Sequence, residues 1–548
     1  MNRISNIYAF ILLVGMLFLM ITSSKNDSAT FDEVAHIGAG YTYLTQKDGR
    51  LNPEHPPLIK AVSAFPLLFL KLNFSTNQAF WTAENVNDRQ WAAGNSLLYE
   101  SGNDADKILF WSRFPTMLLA ILFGWIIFWW TRKNYGAKTG LLAIFLFTLS
   151  PTFLAHSRFV TTDLGAAFAF FLSTVFFIRF LENNDRKSTI YFGIVFGLSL
   201  LVKFSLVILI PFFIILIIWD LFRNSKLEIK NLLIASLTAL AVIYIFYIPL
   251  VWNYPAEQNL KDAQYTLGQY KIAQFAPKID FWLLSNQATR PIGQYLHGFL
   301  MAAQRTAGGN SAYFLGEVSN KGWTHYFPVL FFTKEQIGLY VLMLLSIILA
   351  IKNGVKPSAK TAIFLFFIGY YWTWSLWSPL NIGLRHILPT FPFIYILISK
   401  SVLEWIQNKN LKKTFIFGII FWMAIEIVLV FPYPLSYYNE FVGSWKNGYK
   451  IATDSNYDWG QDLLRLKNWI EKNNINKIYI DYFGGGSIKY YFGDKAEPWR
   501  YENGSPPSGS YFAVSANSIT GAEESYYWLK NKIPIARAGS SIFIYKIN

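Results

Sequence analysis

Two adjacent carboxylates, Asp32 and Glu33, follow the first apolar run of the chain, and a third acid, Glu54, precedes the turn His55-Pro56-Pro57. A carboxylate held ionised at a helix N-terminus beside a bilayer can take a proton from a hydroxyl, which makes Asp32 a candidate general base. The pair has a plainer reading as well, because Thr30 with Glu33 three residues on fits a capping box. The two are compatible: Glu33 caps while Asp32 does chemistry. Cations stand at the heads of other apolar segments. Arg158 precedes Asp163 by five positions, Lys203 interrupts an apolar stretch, and Arg385 with His386 follows a short polar loop. Converging on one face, they would form an anion site. Each also has a structural alternative: an Arg158–Asp163 pair, or a Lys203 that snorkels to the interface.

Other patterns carry less. Asp454-Ser455-Asn456-Tyr457-Asp458 starts like a calcium loop, but Trp459 stands at the glycine position and Arg465 where the bidentate glutamate belongs. Gly484-Gly485-Gly486 reads as a turn rather than a phosphate loop, and the aromatics and Lys334-Glu335 after Gly322 as interfacial anchoring. Glu54 with His55 or His325 is a weak candidate for a divalent metal. Without cysteine, disulfides and thiolate sites are excluded.

The elements that must position these groups are membrane helices. Only 15% of the 548 residues are charged and 53% are hydrophobic, against about 25% charged in globular proteins. The 49 Phe, 32 Tyr and 20 Trp suit aromatic belts at membrane surfaces. Ile7–Ile21 reads as an anchor, with a cleaved signal peptide as the alternative. Ten further spans are expected near 108–131, 139–153, 164–181, 190–202, 206–222, 232–251, 337–351, 362–377, 387–399 and 415–431. Phe31, Val34, Gly38, Tyr41 and Leu44 recur at helical spacing, which predicts an amphipathic interfacial helix with Asp32 and His36 on its other face. Residues 56–72 read as a second interfacial or re-entrant helix.

Charge gives an orientation. Net charge is +15, with the basic residues concentrated between spans: Arg132, Lys133 and Lys138; Arg186 and Lys187; Arg223, Lys226 and Lys230; Lys352, Lys356 and Lys360; Lys400, Lys409, Lys412 and Lys413. With eleven spans all share the side of Arg3, which the positive-inside rule makes cytoplasmic. The basic surplus therefore reads as topology rather than nucleic-acid binding. The Asp32 loop, the loop 252–336 and the C-terminal part then lie outside. Residues 433–548 read as a small α/β extracytoplasmic domain, with a helix at 459–473 and strands at 477–482, 510–514 and 541–545, after a membrane domain at 1–432.

Taken in order, the acid pair, the Glu54-His55-Pro56-Pro57 turn and the Arg158-to-Asp163 motif resemble the GT-C glycosyltransferases that use polyprenyl-phosphate sugars. Nearest are the protein O-mannosyltransferases (glycosyltransferase family 39) and the lipid-A aminoarabinose transferases. Members share an Asp-Glu pair in the first outer loop, and the mannosyltransferases an Arg, four residues, then Asp. The aminoarabinose transferases carry Glu-Lys-Pro-Pro-like residues, where His55 here replaces Lys.

The resemblance implies an inverting transfer of a sugar from a polyprenyl-phosphate carrier to a lipid, glycan or protein acceptor at the outer face. The phosphate is a good leaving group, so the chemistry needs a base for the acceptor and cations for the phosphate. Asp32 is then the base, Arg158, Lys203 and Arg385 the phosphate partners, and Asp163 orients Arg158 or the acceptor. Glu54 and His55 are candidates for the acceptor or a metal. The alternative is a transporter or flippase of lipid-linked or envelope glycans, for which no inverted repeat is visible.

Overall fold

The computed structural model describes residues 2–83, 85–222, 228–354, 356–406, 410–521, 526–529 and 532–547. Arg223, Lys226 and Lys409, three of the orienting basic residues, lie outside them.

Each expected span is a helix. Among the described residues seven are long and apolar enough to cross a membrane: Arg3–Ser24, Ala105–Tyr135, Asp163–Asn183, Phe204–Leu221, Ile229–Trp252, Leu384–Ile406 and Asn410–Val430. An eighth arises if Tyr326–Lys334 and Ile337–Lys352, bent by 109° at their junction, count as one. The remaining expected spans are the helices Ala137–Thr148, Arg186–Leu200 and Ala359–Leu376, shorter or less apolar than a full crossing. The chain is a multi-pass membrane protein.

Aromatic side chains build the centre of this bundle, where belts had been expected. Phe177 stacks on Phe213 at 4.1 Å, Phe123 on Phe168 at 4.8 Å, and Phe367 lies 4.6 Å from Phe393. Between membrane helices the hydrophobic effect drives little, so interlocking aromatic volume supplies the dispersion contacts that fix neighbours.

The first-loop helix, Phe31–Thr45, forms as expected, and ten of its fifteen residues are buried against the protein, including Val34, Ile37 and Ala39. Gly40 permits this. A Cβ there would meet the Lys60 carbonyl oxygen at 2.2 Å, so only glycine lets helix Leu58–Ala64 cross so closely.

Beyond Val430 no described helix is long and apolar enough to span. A five-stranded mixed sheet forms there instead, in the order Ala496–Pro498, Ile478–Asp481, Tyr511–Ser515, Ile542–Lys546, Ala536–Ala538. The first three strands run parallel, and Ile542–Lys546 is antiparallel to both of its neighbours. Helix Leu463–Lys472 packs its Leu463, Leu466 and Ile470 against Ile478, Ile480 and Ile544. This sheet rests on the residues that follow the first membrane helix: Arg465 pairs with Asp27 at 2.6 Å, and Ser28 donates to the Gly460 carbonyl at 2.7 Å.

Candidate active site

Asp32 is the second residue of helix Phe31–Thr45, and its side chain is one-quarter exposed. One oxygen accepts from Arg385 Nη1 at 3.0 Å. The same Nη1 reaches Asp163 at 3.2 Å, and the other Asp163 oxygen takes the Lys203 ammonium at 2.6 Å. Four residues from four separate segments thus form one alternating chain, Asp32–Arg385–Asp163–Lys203. Asp163 and Arg385 are buried, whereas Asp32 and Lys203 at the two ends are partly open.

Arg385 is held by its surroundings. Its guanidinium lies 4.2 Å over the Trp459 ring. The 3-10 turn that carries it, Leu384–Thr390, is fixed by Asn456, whose side-chain oxygen accepts from Leu384 N–H at 3.0 Å. Gly383 takes φ +141°, and a Cβ there would meet Ser455 Oγ at 2.2 Å. Residues 454–459, from the C-terminal side of the last membrane helix, therefore press directly on the turn. Lys334 ties them further, donating to the carbonyls of Leu435, Tyr437 and Asn456 from a fully enclosed position, not from an interfacial one. Arg385 Nε–H is buried and meets no acceptor among the described residues. A guanidinium with an unmet buried donor, beside a partly open ammonium, is the chemistry that receives an anion.

Glu33 faces the opposite way and is fully buried. Its carboxylate accepts from Arg113 Nε at 2.8 Å and Nη2 at 2.7 Å, from Val160 N–H at 3.0 Å, and from the backbone and hydroxyl of Thr30 at 2.9 and 3.1 Å. The expected cap is present, as one part of a larger junction. Arg158 was expected beside Asp163. It instead contacts Asp27 at 2.6 Å, is 1% exposed, and forms no ion pair with Asp163. Arg385 and Lys203 occupy that place.

The Glu54-His55-Pro56-Pro57 turn borders the site. Glu54 pairs with the half-exposed Arg305 at 3.1 Å. The His55 ring meets His36 edge-on at 5.1 Å, and His36 Nδ1 lies 2.8 Å from the Val160 carbonyl. Burial, with His36 and Lys60 beside it, holds the His55 imidazole well below its ordinary range. Lys60 organises the turn from beneath, donating to Asn52 O, Asn52 Oδ1, His55 O and Tyr43 OH. No three His, Asp or Glu side chains among the described residues are grouped to hold a metal ion, and the Glu54 carboxylate is occupied by Arg305.

Sequence reasoning missed Asp454. It takes a left-handed backbone with φ +55° beside Arg385 and Asp32. Burial pushes its carboxyl up to about 6, opposed by Arg385 and reinforced by the Asp32 carboxylate. The signal was the Asp454–Asp458 cluster itself, set aside once it failed as a calcium loop. Arg113 and Trp459 carried no local signal at all.

Fold and site together define a polytopic membrane protein with a buried ion-pair relay where its first loop meets the heads of two membrane helices. Residues 106–252 match the family of dolichyl-phosphate-mannose-protein mannosyltransferases. That segment is similar to the protein O-mannosyltransferases. No curated protein sequence matches it. Among solved structures it is similar to ArnT from Cupriavidus metallidurans bound to undecaprenyl phosphate, at 11% identity and TM-score 0.46, covering 98% of this chain and 97% of that one. It is also similar to the Archaeoglobus fulgidus oligosaccharyltransferase in its apo form, at 12% identity and TM-score 0.46, covering 93% and 70%.

Proposed function

We propose that the protein is an integral-membrane, inverting glycosyltransferase that moves a sugar from a polyprenyl-phosphate carrier to a hydroxyl- or amine-bearing acceptor at the outer face of the membrane. The observation that carries this reading is the relay Asp32–Arg385–Asp163–Lys203 with its unmet Arg385 Nε–H. Arg385 and Lys203 receive the phosphate of the carrier. Asp32 takes the acceptor proton as the acceptor oxygen or nitrogen bonds to the anomeric carbon. The bond from that carbon to the phosphate oxygen breaks, and the phosphate leaves with the electron pair. One displacement inverts the centre. The leaving group needs no proton, unlike hydrolysis of a glycoside, where a second carboxyl supplies one.

The test is release of polyprenyl phosphate from a purified chain given an undecaprenyl-phosphate sugar and candidate acceptors. Release that disappears in Asp32→Asn and in Arg385→Ala is the expected result. A transporter or flippase would bind the same carrier and leave the sugar–phosphate bond intact, and carrier binding without cleavage under any acceptor would replace the transferase reading with that one.

A further inference from the structure

Beside the relay, on the other side of helix Phe31–Thr45, a cavity of about 410 Å³ opens between that helix, the segment 91–100 and the loop 484–487. None of the relay residues lines it. The triple glycine belongs to its wall. A Cβ on Gly485 would meet the Thr30 carbonyl at 2.3 Å, so the loop reaches the start of the helix only as glycine. Tyr99 OH fastens it by donating to the Gly485 carbonyl at 2.9 Å.

The lining has a definite chemistry. Phe31 is 39% exposed, and its ring lies 4.5 Å from Trp91 at 47° and 5.5 Å from Phe483 in a stack. Two polar residues border the same space, the half-buried Asn95 and the exposed Glu100, and neither side chain makes a hydrogen bond among the described residues. Glu100 is the one charged residue of the lining among the described residues.

A lone carboxylate repels phosphates and other anions, so this is no second donor site. Apolar ring faces beside an unpaired acceptor and an unpaired amide match a compound with flat C–H surfaces and several hydroxyl donors. Its volume falls in the range of small-ligand sites. Phe31 is the sequence neighbour of Asp32, so the same helix turn carries the cavity wall and the proposed base on different faces.

We propose that this cavity binds an uncharged saccharide unit of the acceptor and so determines which acceptor is used; this rests on the transferase reading. Trp91 and Phe31, already in contact with each other, form one aromatic wall for a face of the sugar ring, and Asn95 and Glu100 bond its hydroxyls.

The test uses the full chain in nanodiscs and saturation-transfer NMR with four neutral disaccharides: cellobiose, maltose, N,N′-diacetylchitobiose and mannobiose. At least one is expected to bind. Trp91→Ala and Glu100→Gln should each weaken it tenfold or more, and its phosphorylated form should bind less well than the neutral one. Undecaprenyl phosphate, titrated into the same samples, should bind all three chains equally, which also certifies that the variants are folded. Binding of none of the four, or equal binding by wild type and both variants, overturns the proposal. Failure of the wild-type chain to bind undecaprenyl phosphate overturns the transferase reading instead, and the two results are read separately.

Discussion

Asp32 and Glu33 are sequence neighbours in opposite surroundings. Glu33 is sealed in and saturated with donors, while Asp32 is partly open with one guanidinium beside it. Their isosteric amides should therefore fail differently. Asp32→Asn is expected to insert, fold and bind donor while turnover falls by about 10²–10⁴-fold. Glu33→Gln leaves the buried Arg113 without its counter-charge, which costs about 3–5 kcal/mol of stability. It should appear as a lowered thermal midpoint in detergent, with catalysis per folded molecule close to normal. The reverse pattern would exchange their roles.

Asp454 gives the site a pH dependence. Its carboxyl binds a proton more tightly in the folded chain, up to about 6, than in an unfolded one near ~3.9. The native state thus holds the extra proton between those values, and its contribution to stability falls as pH rises from about 4 to about 6. Above that range the ionised Asp454 adds negative charge beside Arg385 and Asp32. Asp454→Asn should flatten both the fall in thermal midpoint and a rise in kcat/KM through about pH 6. An unchanged pH–rate profile in that variant would remove Asp454 from the site's electrostatics.

At the scale of elements, a buried knot of ion pairs holds the first loop. Asp27 contacts Arg158 and Arg465, each at 2.6 Å, and Arg465 reaches Asp462 at 2.7 Å. Arg113, on helix Ala105–Tyr135, donates to the carbonyls of Asp27 and Ser28 at 2.9 and 2.8 Å. The end of the first membrane helix, the turn 157–162 and the C-terminal sheet are joined at this point. We propose that Arg158 acts on assembly. Arg158→Ala should lower the thermal midpoint and the yield of folded protein, by an amount on the order of 3–5 kcal/mol for a broken buried pair. Donor affinity of the fraction that folds should stay near normal. A tenfold loss of donor affinity at unchanged stability would return Arg158 to the phosphate site. The apolar period of helix Phe31–Thr45 was legible, but its close partner was not: Gly40 lets helix Leu58–Ala64 pack against it.

For the whole molecule, one contact bears on orientation. Helix Leu463–Lys472 reaches Ser23 and Asp27 through Arg465, at the far end of helix Arg3–Ser24 from its start, and we propose that the C-terminal part and the beginning of that helix lie on opposite sides of the membrane. The basic connections favour a cytoplasmic start. A C-terminal reporter that works only in the cytoplasm should stay silent, and one active only outside should report. Activity of the cytoplasmic reporter would invert the topology and move the relay to the inner face.

The sequence by itself determined what local composition and period can carry. Apolar runs located every membrane helix, because each must satisfy its own backbone hydrogen bonds and so signals its presence without reference to neighbours. The strands expected at 477–482, 510–514 and 541–545 match three of the five strands of the C-terminal sheet. The acid pair marked the start of the site. Only the tertiary structure decided which charges meet. Asp163 lies five residues from Arg158 but pairs with Lys203, forty positions on, and Arg385. Arg385 in turn rests on Trp459 from beyond the last membrane helix. Partners of a buried charge are chosen by the packing of whole helices, since the cost of leaving one unpaired is met wherever the fold brings an opposite charge, at any distance along the chain.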